Sequence, residues 1–250
     1  KQARLFVSGQ NKWLLMAEEK CLQNGECMRN SYLNNIIYTL IYAAPATLIA
    51  IVLHEYAHAV VSYLCGDKNV KSSGRLSLNP FKHLDPLGTL CLLIFHMGWA
   101  KPVMVNTASY KHKKLDFCLV ALAGPLMNFI IAFISLIGMY FTARYTGTGS
   151  VSGYFYYLFY YISMINVGLG VFNLIPIPPL DGSNVLFSLL PVHIEREIRR
   201  YSRYFPLFLL ILIWFGSFNN ILSYVDSGII NWMWRIVLKI FGYPAVVGTV

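Results

Sequence analysis

The chain has 250 residues, 56% of them hydrophobic and 12% charged, with mean hydropathy +0.53 and a net charge of +9. A soluble globular domain carries roughly 25% charged residues, so the composition excludes an ordinary soluble domain and describes an all-α polytopic membrane protein. The positive charge does not imply a nucleic-acid partner, because most Lys and Arg fall in three short loops, as they do on the cytoplasmic side of membrane proteins.

Residues 1–35 form a polar amino-terminal segment without the pattern of a cleavable signal peptide, either extramembrane or foreign to the natural chain. The first apolar run, 36–65, is long enough to cross a bilayer, for which about 20 helical residues suffice. A basic loop with Lys68, Lys71, Arg75 and Lys82 follows. Residues 84–100 are apolar again but short, interrupted by Gly88 and Gly98, and end at a second basic loop from Lys101 to Lys114. With basic flanks on both sides, this segment reads as a re-entrant or β-like element that dips in and returns, which needs protein or a water-filled cavity to satisfy its backbone. The runs 115–143 and 154–175 then cross out and back. Residues 183–190 are apolar, a third basic loop holds Arg196, Arg199, Arg200 and Arg203, and a further span covers 206–225. Residues 229–248 read as a span or an interfacial helix, given Trp232, Trp234, Arg235 and Lys239. The expected architecture is about five to six transmembrane helices, divided into the segment 1–35, a core at 36–190 and carboxy-terminal membrane helices at 191–250.

The chemistry sits in the first run. His54-Glu55-Tyr56-Ala57-His58 places two histidines on one helix face, where both can reach one metal ion, with a carboxylate between them. Ionisable side chains inside a membrane helix are costly and are usually functional. A catalytic zinc takes three protein ligands and keeps a position open for water. Asp181 suits the third place because Pro176, Pro178 and Pro179 break the helix just before it. His96, also in apolar sequence, competes for that place. With a metal bound, Glu55 is placed to act as general base. Five cysteines, Cys21, Cys27, Cys65, Cys91 and Cys118, include no Cys-x-x-Cys pair and support neither a disulfide framework nor a thiolate site.

The chain resembles the site-2 protease family of intramembrane zinc metalloproteases. His54 to His58 matches the family's first motif, and Asn173-Leu174-Ile175-Pro176-Ile177-Pro178-Pro179-Leu180-Asp181-Gly182 matches its second. The stretches Gly74 to Pro80, Gly98 to Val103 and Ala123-Gly124-Pro125-Leu126-Met127-Asn128 are similar to the compact branch without PDZ or CBS domains. The resemblance covers about residues 36–190. It implies one Zn2+ per chain held by His54, His58 and Asp181, catalysis by Glu55, and Asn128 and Asn173 close to the site. There an amide could orient the substrate backbone or stabilise an oxyanion, or simply cap carbonyls around the broken helix.

The expected partners are the lipid bilayer and a transmembrane protein substrate, held in extended form along 84–100 by strand addition, with a regulatory membrane protein or prior cleavage of the substrate supplying control. The basic loops point the site toward the cytoplasmic side, and the resemblance implies a bacterial or archaeal plasma membrane. Two competing classes are a zinc or cation transporter, which needs ligands open alternately to both faces, and a catalytically silent binder of membrane proteins.

Overall fold

A computed structural model of the chain describes residues 39–83, 85, 106–145, 150–214 and 219–242. The chain divides into two units, Lys1–Ile41 and Tyr42–Val250, and only residues 39–41 of the first are described. The second unit holds helices α1 (Ala44–Leu64), α2 (Asn69–Ser72), α3 (Lys113–Tyr145), α4 (Ser150–Asn173), α5 (Asp181–Leu189), α6 (Val192–Tyr201), α7 (Phe205–Trp214) and α8 (Asn219–Phe241). The described elements are helical, with no strand among the described residues, in keeping with an all-α membrane protein. Three described helices are long and apolar enough to cross a membrane, at Leu40–Leu64, Lys113–Tyr145 and Val151–Asn173. The re-entrant or β-like element expected at 84–100 lies outside the described residues apart from Asp85, and so does His96.

Helix α3 is the hub and packs against α1, α4, α5 and α8. Its buried residues repeat every four positions, through Asp116, Val120, Gly124, Asn128, Ala132, Leu136 and Tyr140. On α1 the buried row is Ala46, Ala50, His54, His58 and Ser62, with the same spacing. Rows of this spacing are the ridges by which helices interdigitate. The residues in them are mostly small or polar, as expected where lipid tails give no hydrophobic drive and close approach supplies the packing. The opposite face of α3 shows the reverse, with Leu119, Leu126, Ile130 and Ile134 exposed. Large apolar groups outside and small or polar ones inside suit a helix whose solvent is lipid. A tighter core joins Ala132, Leu136, Met139 and Tyr140 of α3 to Val167 of α4 and to Met233 and Val237 of α8.

The carboxy-terminal helices differ from the sequence expectation. A span at 206–225 and a new segment from 229 anticipate a break around Asp226-Ser227-Gly228, yet α8 runs through these residues without interruption. Ser227 explains part of this: its Oγ donates to the Ser223 carbonyl at 2.7 Å, so the hydroxyl is satisfied within the helix. Asp226 lies against α4 at Gly168, where a Cβ would stand 3.5 Å from Asp226 Oδ2.

At the end of α1, Gly66 adopts φ 115°, and a Cβ there would lie 3.0 Å from the Ser109 carbonyl. The wholly buried Asp67 fixes this corner. Its Oδ2 accepts from the Asn106 backbone N–H at 2.7 Å, and its Oδ1 accepts from the Asn69 N–H at 3.1 Å. Ser62 Oγ, in the α1 row, lies 2.9 Å from the Tyr110 hydroxyl. Residues 106–110 are thereby held against the end of α1, just before α3 begins. Replacing Asp67 leaves two backbone donors without their acceptor. Asp67→Ala is therefore expected to cost about 2–3 kcal/mol, and Asp67→Asn less, since it keeps one acceptor oxygen. Thermal unfolding in detergent measures this, and an unchanged midpoint for Asp67→Ala would contradict the anchoring role.

Candidate metal centre

The four-residue spacing in α1 turns both histidine rings toward α3, their centroids 4.6 Å apart and nearly perpendicular. His54 Nε2 and His58 Nε2 are 3.0 Å apart. Asp181 Oδ2 lies 3.1 Å from His54 Nε2 and 3.2 Å from His58 Nε2. These three residues are the one set of His, Cys, Asp or Glu among the described residues that converges closely enough to hold a metal ion. Glu55 follows His54 on the same helix and is half-buried.

Two glycines make the convergence sterically available. A Cβ on Gly124 would stand 2.4 Å from His58 Nε2 and 2.6 Å from His54 Nε2, so the two rings occupy the space that a side chain on α3 would need. A Cβ on Gly182 would lie 2.2 Å from the Leu174 carbonyl oxygen. Only glycine lets the start of α5 press so closely on the end of α4. Between those helices Pro176, Pro178 and Pro179 prevent continuation of α4, and short-range turns replace it, such as Leu180 N–H to Ile177 O at 3.0 Å. Asp181 is thus the first residue of α5, presented at the break rather than from a helix flank.

The donor set tests directly whether a metal fits. His58 Nδ1 donates to the Val120 carbonyl at 2.6 Å, which leaves Nε2 as a bare lone pair in the neutral ring. That lone pair and the Asp181 carboxylate oxygen are both acceptors, 3.2 Å apart, and two acceptors so close call for a cation. Zinc ligands at their usual distances in a tetrahedron stand about 3.3 Å from one another. The observed separations of 3.0–3.2 Å match that edge. Two imidazole nitrogens and one carboxylate are also a common catalytic zinc set. The residues fit the ion.

The other sequence candidates divide. Asn128 is wholly buried beside His54, with its amide nitrogen 3.2 Å from His54 Nδ1. Asn173, half-buried at the end of α4, donates from Nδ2 to the Leu169 carbonyl of its own helix at 3.0 Å. The roles of Gly124 as a cradle and of the Val120 carbonyl as an orienting acceptor are not read from sequence. The glycine before Pro125 in an apolar run was the available signal, since such a glycine marks close approach by a neighbour.

Gly124→Ala forces a methyl group into both rings. Zinc affinity is expected to fall by at least about tenfold, because displaced ligands bind poorly. Gly153→Ala, where nothing lies within 4 Å of the added Cβ, serves as the control and should leave affinity unchanged. Chelator competition on the purified protein measures both, and wild-type affinity in Gly124→Ala would show that the rings do not sit in this cradle.

Comparison with known proteins agrees with this chemistry. The model of Peptidase family M50 matches residues 42–154 and 143–213. YwhC of Bacillus subtilis, described as a candidate zinc metalloprotease, is 35% identical over 204 residues, covering 80% of this chain and 90% of that protein. Rip2 of Mycolicibacterium smegmatis, described in the same terms, is 27% identical over 72% of this chain and 74% of its own. The protease RseP of Photorhabdus luminescens is 30% identical over 40% of this chain and 46% of its own length. No solved structure matches the chain. A buried pair of histidines and a carboxylate in apolar helices, together with these matches, establishes that the chain belongs to peptidase family M50, the site-2 protease family of membrane zinc metalloproteases.

Proposed function

We propose that this intramembrane zinc metalloprotease cleaves peptide bonds within or beside the transmembrane helices of other membrane proteins, with His54, His58 and Asp181 as the metal ligands and Glu55 as the general base. The observation that carries the reading is the convergence of three ligand-type atoms within 3.0–3.2 Å, two of them on a helix fit to cross the bilayer that also carries Glu55.

A zinc ion held by these residues supplies the positive charge that acidifies water and polarises a carbonyl. Glu55 accepts the proton of the attacking water and passes it to the leaving amine, which needs a carboxylate free of the metal and close to it. His58 keeps its ring orientation through Val120, so its nitrogen stays aimed during turnover. Asn173, half-buried beside the proline break, is the amide suited to meet a substrate backbone. The apolar helix surfaces exclude bulk water, which strengthens each electrostatic contact inside.

A substrate helix hides its peptide groups in internal hydrogen bonds and must unwind locally before it can be cleaved, so Pro, Gly or Asn near the scissile bond favours reaction. The catalytic core in this reading spans 36–190. The protein lies in a bacterial or archaeal plasma membrane with the site toward the cytoplasm. Supporting this orientation, exposed Lys68, Lys71, Lys113 and Lys114 gather where α1 ends and α3 begins, and Lys114 Nζ donates to the Leu190 carbonyl at the far end of α5.

Glu55→Gln is expected to lower cleavage of a single-span substrate by at least about 10³-fold while zinc content and helicity stay at wild-type values. Cleavage by the wild-type protein should stop with a zinc chelator and return on adding zinc. Cleavage assays in detergent or proteoliposomes, with metal analysis of both proteins, check this. An active, zinc-dependent Glu55→Gln protein would remove Glu55 from the role of base.

A further inference from the structure

Asn128 is 0% exposed on α3, one turn beyond Gly124, so no substrate can touch it without displacing the helix. Its nearest polar neighbour is a ligand candidate: the amide nitrogen lies 3.2 Å from His54 Nδ1. The amide oxygen, Oδ1, is buried with no hydrogen-bond partner.

This arrangement of the amide conflicts with the chemistry of the site in two ways. If the nitrogen donates to Nδ1, the neutral His54 ring carries its hydrogen on Nε2. That is the atom facing His58 Nε2 and Asp181 Oδ2, and it must be bare to hold a metal. The orphaned oxygen is also unfavourable, since a buried acceptor without a donor loses its hydration for nothing.

A half-turn of the amide removes both conflicts. The two orientations of an asparagine amide have the same shape and are told apart only by their hydrogen bonds. With Oδ1 toward His54, the oxygen accepts Nδ1–H and gains the partner it lacks. Nε2 becomes a lone pair aimed at His58 and Asp181. The nitrogen then needs an acceptor, and the same protein shows what such a helix offers: Asn166 and Asn173 each donate to the carbonyl four residues earlier, Ile162 at 2.8 Å and Leu169 at 3.0 Å. His58 is a precedent for the ring itself, because its Nδ1 donates to the Val120 carbonyl on the same row of α3.

We infer that Asn128 is a positioning residue whose side-chain carbonyl accepts the Nδ1–H of His54 and so holds His54 Nε2, unprotonated, on the metal. Helix α3 thereby orients both histidines, one through a backbone carbonyl and one through a side-chain carbonyl, eight residues apart on one stripe. The inference rests on His54, His58 and Asp181 being the metal ligands. It differs from the family resemblance in assigning Asn128 to the ligand instead of to the substrate.

The test is zinc affinity of the purified protein by chelator competition, with the helicity of the metal-free form as the check on folding. Asn128→Leu keeps the volume but cannot accept a hydrogen bond, and should weaken zinc binding by about 10–100-fold. Asn128→Asp keeps the acceptor and loses only the amide nitrogen, so its affinity should stay within about threefold of wild type or rise. The inference is overturned if Asn128→Leu folds and binds zinc like wild type. It is equally overturned if Asn128→Asp loses tenfold or more, because the nitrogen is then the group that matters. Should the leucine variant not fold, the aspartate variant decides alone by the same limits. His54→Ala separates this result from the site assignment: if it keeps full zinc affinity, the ligand set is wrong. If His54→Ala loses zinc while Asn128→Leu does not, only the role of Asn128 fails.

Discussion

Two imidazole nitrogens and a carboxylate oxygen stand 3.0–3.2 Å apart inside a bundle of apolar helices, and the surrounding structure follows from accommodating them. In water such groups would be solvated and would drift apart. Within a membrane bundle each polar atom needs a partner supplied by protein, since an unsatisfied one is costly there. One stripe of α3 meets most of that need. Val120 offers a carbonyl to His58, Gly124 offers the absence of a side chain, and Asn128 offers an amide to His54. The three lie four residues apart and face the matching row on α1. A single helix–helix contact therefore sets both the packing and the coordination chemistry.

The third member of the cluster, Asp181, comes from a different kind of structure. A helix can present His54 and His58 together, but a carboxylate arriving from α4 or α5 must cross the gap without carrying a full helix into the site. The prolines after Asn173 end α4, and Gly182 allows α5 to begin almost in contact with the Leu174 carbonyl. Asp181 reaches the histidines because the backbone turns there. Rigidity matters as much as reach. A proline-rich turn has few alternative conformations, which favours keeping Asp181 beside the two histidines.

How much of this could be read from the sequence depended on whether the signal was local. His54 and His58 were legible because helical periodicity puts residues i and i+4 on one face and because ionisable groups stand out in an apolar run. Asp181 was legible through its prolines, although His96 could not be set aside on the same grounds. The identity of α1, α3 and α4 as long apolar helices followed from composition. The passage of α8 through Asp226-Ser227-Gly228 did not, because it depends on Ser227 bonding back to Ser223 and on the approach of α4 at Gly168. The role of Val120 was invisible, and Gly124 signalled only a close approach, not what approaches. A backbone carbonyl has no sequence signature, and an empty space becomes meaningful only when the rings that fill it are known to be adjacent.

The site is also asymmetric, and the asymmetry bears on how a substrate meets it. The histidine side chains keep 8–9% of their surface exposed, whereas Asp181 keeps 19%. Glu55 is likewise only half-buried. Asp181 is therefore the most exposed of the three clustered residues, while the stripe of α3 packs behind the histidines. In the proposed function, a peptide carbonyl would reach Asp181 at the proline break more readily than the groups that orient the histidines from behind. That separation assigns the two helices different tasks. Helix α3 can be packed tightly, while the break before Asp181 lacks continuous helical hydrogen bonds. In the proposed function, holding the metal and admitting a substrate need not compete, because the residues that orient the histidines are buried on α3 and Asp181 is the more exposed partner.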